Sequence, residues 1–177
     1  MKIVLIDGQS GAGKTTLAED LSSYTGFDVV HLDDFYPGWT GLAQASEIVA
    51  RDILVADNPG YFSWDWHENC RGEWVSLEPG KSLIIEGSGV ITAETIQRAT
   101  TLGDVVTVRL TAPESLRKQR ALDRDPDYAP FWELWAAQER VHFAQGIEAD
   151  HEIVLGSNEA AGRPVALYDS LGTAQSS

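Results

Sequence analysis

The sequence predicts an open α/β fold: a five-stranded parallel sheet with helices on both faces and a short helical lid. Two observations carry that expectation. Short apolar runs rich in β-branched residues alternate with stretches of helical character, and a glycine-rich octet, Gly8–Thr15, stands between the first run and the first such stretch. A third observation sets the scale, because 177 residues with 43% hydrophobic content suffice for one domain with a proper core. Residues 1–177 are accordingly read as a single domain.

The first strand is Lys2–Asp7, and the octet behind it, Gly8-Gln9-Ser10-Gly11-Ala12-Gly13-Lys14-Thr15, fits G-x-x-x-x-G-K-[ST], the P-loop pattern, before the helix Thr16–Tyr24. Glycines reach backbone conformations closed to other residues, so successive N–H groups can converge on phosphate oxygens at a helix N-terminus. Gly8, Ser10, Gly11, Ala12, Gly13, Lys14, Thr15 and Thr16 are therefore expected to bind ATP. Lys14 would reach the β/γ-phosphates and Thr15 would ligate Mg²⁺. The expected fold is that of a P-loop NTPase.

The second strand, Asp28–Leu32, delivers Asp33 and Asp34 where a βα loop would face the phosphates. An attacking hydroxyl must be oriented and lose its proton, which needs a carboxylate within hydrogen-bond reach, and Asp33 is assigned as that base. Asp34 either helps hold Mg²⁺ through water or caps the turn. A helix is expected over Leu42–Ala56, with Thr40 as its cap. The acceptor region, about 33–78, holds nine acids, two bases and eight of the sixteen aromatics, a balance that favours a neutral or cationic acceptor over a phosphorylated one needing an Arg/Lys clamp. Tyr36, Trp39, Trp64 and Trp66 are among the rings able to stack on a planar group, or to form a small aromatic core under a long loop, and Asp65 is placed to accept hydrogen bonds from a diol.

The third strand, Ser82–Ile85, ends at Glu86-Gly87, the position where an acid at a strand end touches the Mg²⁺ shell. A helix Ala93–Thr100 follows Thr92, then a strand Val105–Leu110 and a helix Pro113–Asp123 with proline in its first turn. Four of the thirteen bases fall within 117–124. Arg117, Arg120 and Arg124 recur three and four apart on one helical face, a lid over about 113–130 that could close on the triphosphate and stabilise transition-state charge. A helix Phe131–Gln145, whose Trp132 and Trp135 are read as packing, and a strand Glu152–Leu155 complete the set. His31, His67, His142 and His151 form no ligand spacing and receive no role. The tail from Ser157 is read as the place for an adenine-contacting loop, with disordered last residues.

A formal net charge of −14 argues against nucleic acid or an anionic membrane as partner, since both demand a cationic face. The lone Cys70 excludes an internal disulfide, and the first apolar run is too short for a signal sequence, so a cytoplasmic protein is expected.

With these residues in place the chain resembles the uridine kinase and nicotinamide riboside kinase group of P-loop kinases, over about residues 2 to 145. Gly8–Thr15 matches the P-loop, and Asp33-Asp34-Phe35-Tyr36 resembles the segment whose first Asp is that group's base. Trp64-Asp65 is similar to the pair that grips ribose hydroxyls there, Ile85-Glu86-Gly87 to its E-G turn, and Arg117, Arg120, Arg124 and Asp125 to its lid pattern. Ser88 departs from the bulky apolar residue usual after the E-G pair, and Trp66-His67-Glu68 from the usual continuation. The resemblance implies a kinase that moves the γ-phosphoryl of Mg-ATP to a hydroxyl of a small unphosphorylated acceptor such as a nucleoside, working as a monomer or homodimer. The alternatives are a nucleoside monophosphate kinase, which would set Arg51, Arg71 or Arg98 on an acceptor phosphate, and a nucleotide-dependent regulatory module.

Overall fold

The computed structural model describes residues 1–156 and 165–172. Its main sheet has five parallel strands in the order β2-β5-β1-β6-β7: β1 Lys2–Gly8, β2 Asp28–His31, β5 Leu83–Glu86, β6 Asp104–Thr111 and β7 His151–Val154. β1 lies in the middle, paired to β5 from Ile3↔Leu83 and to β6 from Lys2↔Asp104. Both faces of a central parallel strand are covered, so Ile3, Val4, Leu5 and Ile6 form an unbroken apolar run instead of alternating with polar residues. Ile3 and Leu5 enter a core shared with α2 (Leu42–Ile48), α3 (Ala93–Leu102) and α5 (Trp132–Phe143). Val4 and Ile6 enter a second core with α1 (Lys14–Thr25) and α6 (Val165–Leu171). Helices therefore cover both faces, as the alternation predicts.

Local chemistry sets the element ends. Thr92 accepts from the Thr95 amide while the Thr95 hydroxyl accepts from the Thr92 amide, a reciprocal capping box that starts α3. α4 (Glu114–Arg124) begins after Pro113, and a 3₁₀ segment, Pro126–Phe131, joins it to α5. The helix expected over Leu42–Ala56 is shorter and broken: α2 ends at Ile48 and runs into a π-turn, Val49–Ile53. Gly41, not Thr40, takes its cap position, without a side-chain hydrogen bond.

Two elements were not anticipated. The stretch read as a long loop contains an antiparallel hairpin, β3 (Gly60–Asp65) and β4 (Cys70–Ser76), outside the main sheet. Phe62 sits opposite Trp74 with ring centroids 4.9 Å apart, the cross-strand aromatic pairing that stabilises a two-stranded ribbon. The tail read as undefined carries α6, whose Leu167 and Leu171 are buried. The expected adenine-contacting loop and disordered end fall on 157–164 and 173–177, outside the described residues. No helix among the described residues is long and apolar enough to cross a membrane.

Candidate active site

β1 ends in Gly8, where a Cβ would meet the Leu110 carbonyl oxygen at 2.4 Å, so the loop leaves the sheet in close contact with β6. Gly11 and Gly13 have φ of +77° and +99°, in the left-handed region, and Gly13 caps α1. The loop folds over a cavity of about 180 Å³ lined by Ser10, Gly11, Gly13, Lys14, Thr15 and Thr16, with Asp33, Glu86, Arg120 and Arg124 on its other walls. Gly8 and Ala12 support the loop from beneath, and Ala12 is fully buried.

Acids and cations meet here as the sequence suggests. The Thr15 hydroxyl donates to Glu86 Oε1 at 3.0 Å, and the same oxygen lies 2.7 Å from His31 Nδ1. Burial opposes ionisation of Glu86, but the His31 hydrogen bond and the Lys14 charge outweigh it and hold the carboxyl below its ordinary range. The Glu86 hydrogen bond in turn raises His31. Mg²⁺ takes one or two protein oxygens and completes its shell with phosphate oxygens and water, and Thr15 Oγ1 with Glu86 suits that role. No all-protein metal cage exists among the described residues. Asp34 is turned away: it accepts from the Tyr61 hydroxyl at 3.3 Å, towards β3.

Asp33 belongs to two cavities. Besides the phosphate side it lines a second one of about 320 Å³ with Ser10, Tyr36, Trp39, Trp66, Arg124, Asp125, Tyr128 and Trp135. By surface area Asp33 is exposed, yet the cleft walls crowd its carboxyl enough that desolvation, followed by the Glu86 charge, raises its pKa. Lys14 and Arg124 pull in the opposite direction without cancelling the rise. A larger cavity of about 570 Å³ opens between α2, α3 and α5, but it contains neither the loop nor these acids.

The ring-lined cavity corrects several expectations. Trp64 and Asp65 do not line it. Asp65 Oδ1 accepts from the amides of His67 and Glu68, both at 2.9 Å, so its carboxylate is spent on the hairpin turn rather than held ready for a diol. Trp66 is the residue that reaches the cavity, with Nε1 donating to the Asp33 carbonyl at 2.9 Å and its ring 4.9 Å from Trp39. Trp39 stacks on Phe131 at 4.3 Å and on Tyr128 at 5.2 Å. Tyr36 is buried and donates to the Ser88 carbonyl at 2.8 Å. Trp135, read as packing, edges onto Tyr36 and also lines the cavity, whereas Trp132 is core as expected.

Arg117 departs from the lid. The residue is 4% exposed and its guanidinium donates to the carbonyls of Ala112 and Ser10, which leaves Arg120 and Arg124 as the arginines that line the loop cavity. Arg51 is bound to Asp52 and Arg71 lies over the Phe62 ring; neither these nor Arg98 lines the cavity beside Asp33.

A layer of buried polar groups behind the loop went unseen in the sequence. Asp7 is fully buried and accepts from the amides of Gly8, Gly89 and Ile91 and from His142 Nε2, which ties β1 to the turn after β5 and to α5. Glu139 Oε1 accepts from the Ser10 amide at 2.7 Å and lies 2.9 Å from Ser88 Oγ. Ser88 Oγ also lies 3.4 Å from Lys14 Nζ, which explains the hydroxyl where a bulky apolar residue is usual. His142 and Glu139 are one turn apart on α5, but Asp7 and Ser10, which they hold, lie more than a hundred residues away.

Residues 4–131 match the family described as an AAA domain. A stretch of 84 residues is 32% identical to midasin from Dictyostelium discoideum and covers 44% of this chain, while the chain spans only 1% of the length of that relative. Among solved structures, a sugar kinase from Janibacter sp. HTCC2649 superposes with a TM-score of 0.54 at 19% identity, over 90% of this chain and 87% of that one. A protein from Silicibacter sp. TM1040 assigned as a fructose transport system kinase gives 0.55 at 20% identity, over 85% and 88%. At such identities the likeness is one of fold.

Proposed function

The chain belongs to the AAA domain family, and from that premise we propose that it is an ATP-dependent small-molecule kinase, transferring the γ-phosphoryl of Mg-ATP to a hydroxyl of an unphosphorylated acceptor. The observation that carries this reading is Asp33, the acid shared by a loop-lined cavity and a ring-lined one. A switch or binding module needs no carboxylate at such a junction. A phosphotransferase needs one, because the acceptor hydroxyl must lose a proton as its oxygen meets the γ-phosphorus.

In this mechanism the loop amides and Lys14 hold the triphosphate, and Thr15 and Glu86 hold Mg²⁺. An ion held by these two residues would supply positive charge to offset the charge that develops on the transferring group. The acceptor's ring rests among Trp39, Trp66, Tyr128 and Trp135, which turns its hydroxyl towards Asp33. Asp33 accepts the hydroxyl proton, the freed oxygen bonds to phosphorus, and the bond to the β–γ bridging oxygen breaks, releasing ADP. Arg120 and Arg124 stabilise the charge of the transferring group. A carboxyl raised by its surroundings binds the abstracted proton better than an ordinary carboxylate, which suits a base.

The flat rings favour an acceptor with a planar or ring-shaped body, and the nucleosides used by the uridine kinase and nicotinamide riboside kinase group fit that description. Among the described residues Arg124 is the only cation lining the acceptor cavity, and it is shared with the phosphate side, which disfavours an acceptor phosphate. The test is a turnover screen across nucleosides, their monophosphates, sugars and amino alcohols with Mg-ATP. An unphosphorylated ring-bearing alcohol should be the preferred substrate; preferred use of a monophosphate would refute the acceptor assignment.

A further inference from the structure

We infer that Ser10 couples the helical arm to the phosphate loop, with Tyr128 and Glu139 as positioning residues for phosphoryl transfer; this rests on the kinase reading above. Every polar group of Ser10 is held by the segment that carries the lid arginines. Its Oγ accepts from the Tyr128 hydroxyl at 3.0 Å, its carbonyl accepts from Arg117 Nη1 at 3.2 Å, and its amide donates to Glu139 Oε1 at 2.7 Å. All three partners are buried, and a charge kept out of water persists only where hydrogen bonds compensate it. The approach is also tight at the next residue, where a Cβ on Gly11 would meet the Arg117 carbonyl oxygen at 2.1 Å.

The three contacts bind Ser10 to α4, the 3₁₀ segment and α5 at once. Arg120 and Arg124 ride on the same α4, so the arm that sets the loop also brings the lid cations to the cavity. Glu139 extends the link through Ser88 to Lys14. Tyr128 extends it the other way, because its ring walls the acceptor cavity and stacks on Trp39. One hydroxyl–hydroxyl contact thus separates the acceptor's aromatic wall from the loop that holds ATP. The octet pattern leaves the third position open, so the pattern by itself gives Ser10 no such duty.

Tyr128→Phe removes the hydroxyl and leaves the ring, and Ser10→Ala removes the other half of the contact. Two readouts need no acceptor: hydrogen exchange over residues 8–15, and acceptor-free hydrolysis of Mg-ATP, with affinity for a non-hydrolysable Mg-ATP analogue measured alongside. Each variant should speed exchange in the loop by about 3- to 10-fold, the range expected for one lost hydrogen bond, and lower the hydrolysis kcat with KM for ATP within about twofold. The double variant should be no worse than either single one, because both remove the same contact. Unchanged loop exchange in both singles, or effects that multiply in the double, would overturn the inference. So would a melting point that falls in step with every other effect, the mark of a merely structural role. If the wild-type protein fails to bind the analogue, the kinase reading falls and takes this inference with it; normal binding with indifferent variants defeats this inference alone.

Discussion

The two cavities that meet at Asp33 are built of different material. The loop side is walled by the glycine-rich loop, Lys14, Arg120 and Arg124, with the carboxylates of Asp33 and Glu86 set among these cations. The acceptor side is walled by three indole rings and two phenols, with Asp33, Asp125 and Arg124 at its edges. Amides converging on an anion bind whatever carries a phosphate, because charge and backbone geometry are all they read. Rings read shape, and they discriminate by excluding what does not stack. On the proposed kinase reading, the difference would give generic affinity to one half of the cleft and specificity to the other. Substitutions confined to one half should therefore leave the other half's ligand undisturbed.

The largest effect is expected at the shared wall. Asp33→Asn keeps the shape and removes the proton acceptor, so turnover should fall by about 10²–10⁴ while ATP and acceptor both still bind. Turnover within twofold of wild type would remove Asp33 from the role of base. The wild-type rate should also decline with acidity at a higher pH than an ordinary carboxylate would give, because the base is competent only when ionised and its pKa is raised. That acid limb should vanish in the variant.

Next comes a break on the phosphate side alone. Lys14→Ala should cost about 10²–10³ in rate, as for loss of one electrostatic stabiliser, and weaken Mg-nucleotide binding by calorimetry. Intrinsic tryptophan fluorescence should still report acceptor binding, since Trp39, Trp66 and Trp135 are untouched. A smaller break on the other side is Trp66→Ala, predicted to raise the acceptor KM by roughly 3- to 10-fold, as expected for one aromatic contact, with the ATP KM unchanged. An equal rise in both would mean that the cavities do not divide the labour.

The smallest effect sharpens the comparison through stability. Glu86 is lowered, so its contribution is present above its ordinary value of 4.5 and is lost as pH falls through the depressed pKa. His31 is raised, so its contribution is present below its ordinary 6.5 and is lost as pH rises through the elevated pKa. His31→Gln should therefore lower the melting temperature by a few degrees between about pH 5 and 6, with the deficit shrinking in alkali. A deficit that stays constant through pH 9 would show that the pair is not ionic.

The same division governs what could be read from the sequence. The phosphate cradle is eight consecutive residues, so its chemistry is visible in a single pattern, and Asp33 and Glu86 are betrayed by their places after apolar runs. The ring-lined cavity draws on residues 10, 33, 36, 39, 66, 124, 125, 128 and 135, and no local pattern announces such an assembly. Asp65 misled because its carboxylate had a nearer claim, two amides in its own turn. The hairpin had a signal in the five aromatic residues of 60–76 and in Asn69, whose φ of +48° suits a tight turn. Asp7 with His142, and Ser10 with Glu139, are pairs set by tertiary packing across more than a hundred residues.

The central place of β1 has a consequence for how the chain is made. Ile3 pairs with Leu83 on one side and Val105 on the other, so the buried central strand has no hydrogen-bonding neighbour until Leu83 has left the ribosome and lacks its second until Val105 follows. At ordinary elongation rates of about 5–20 residues per second, the wait for Leu83 is roughly 4–16 s. The hairpin, whose strands are joined by four residues, can close in microseconds as soon as it emerges. During the wait Ile3–Ile6 is a bare strand edge, open to pairing with another nascent chain. Slower translation between residues 7 and 83 should therefore lower the yield of native protein, and a holdase chaperone supplied during synthesis should restore it.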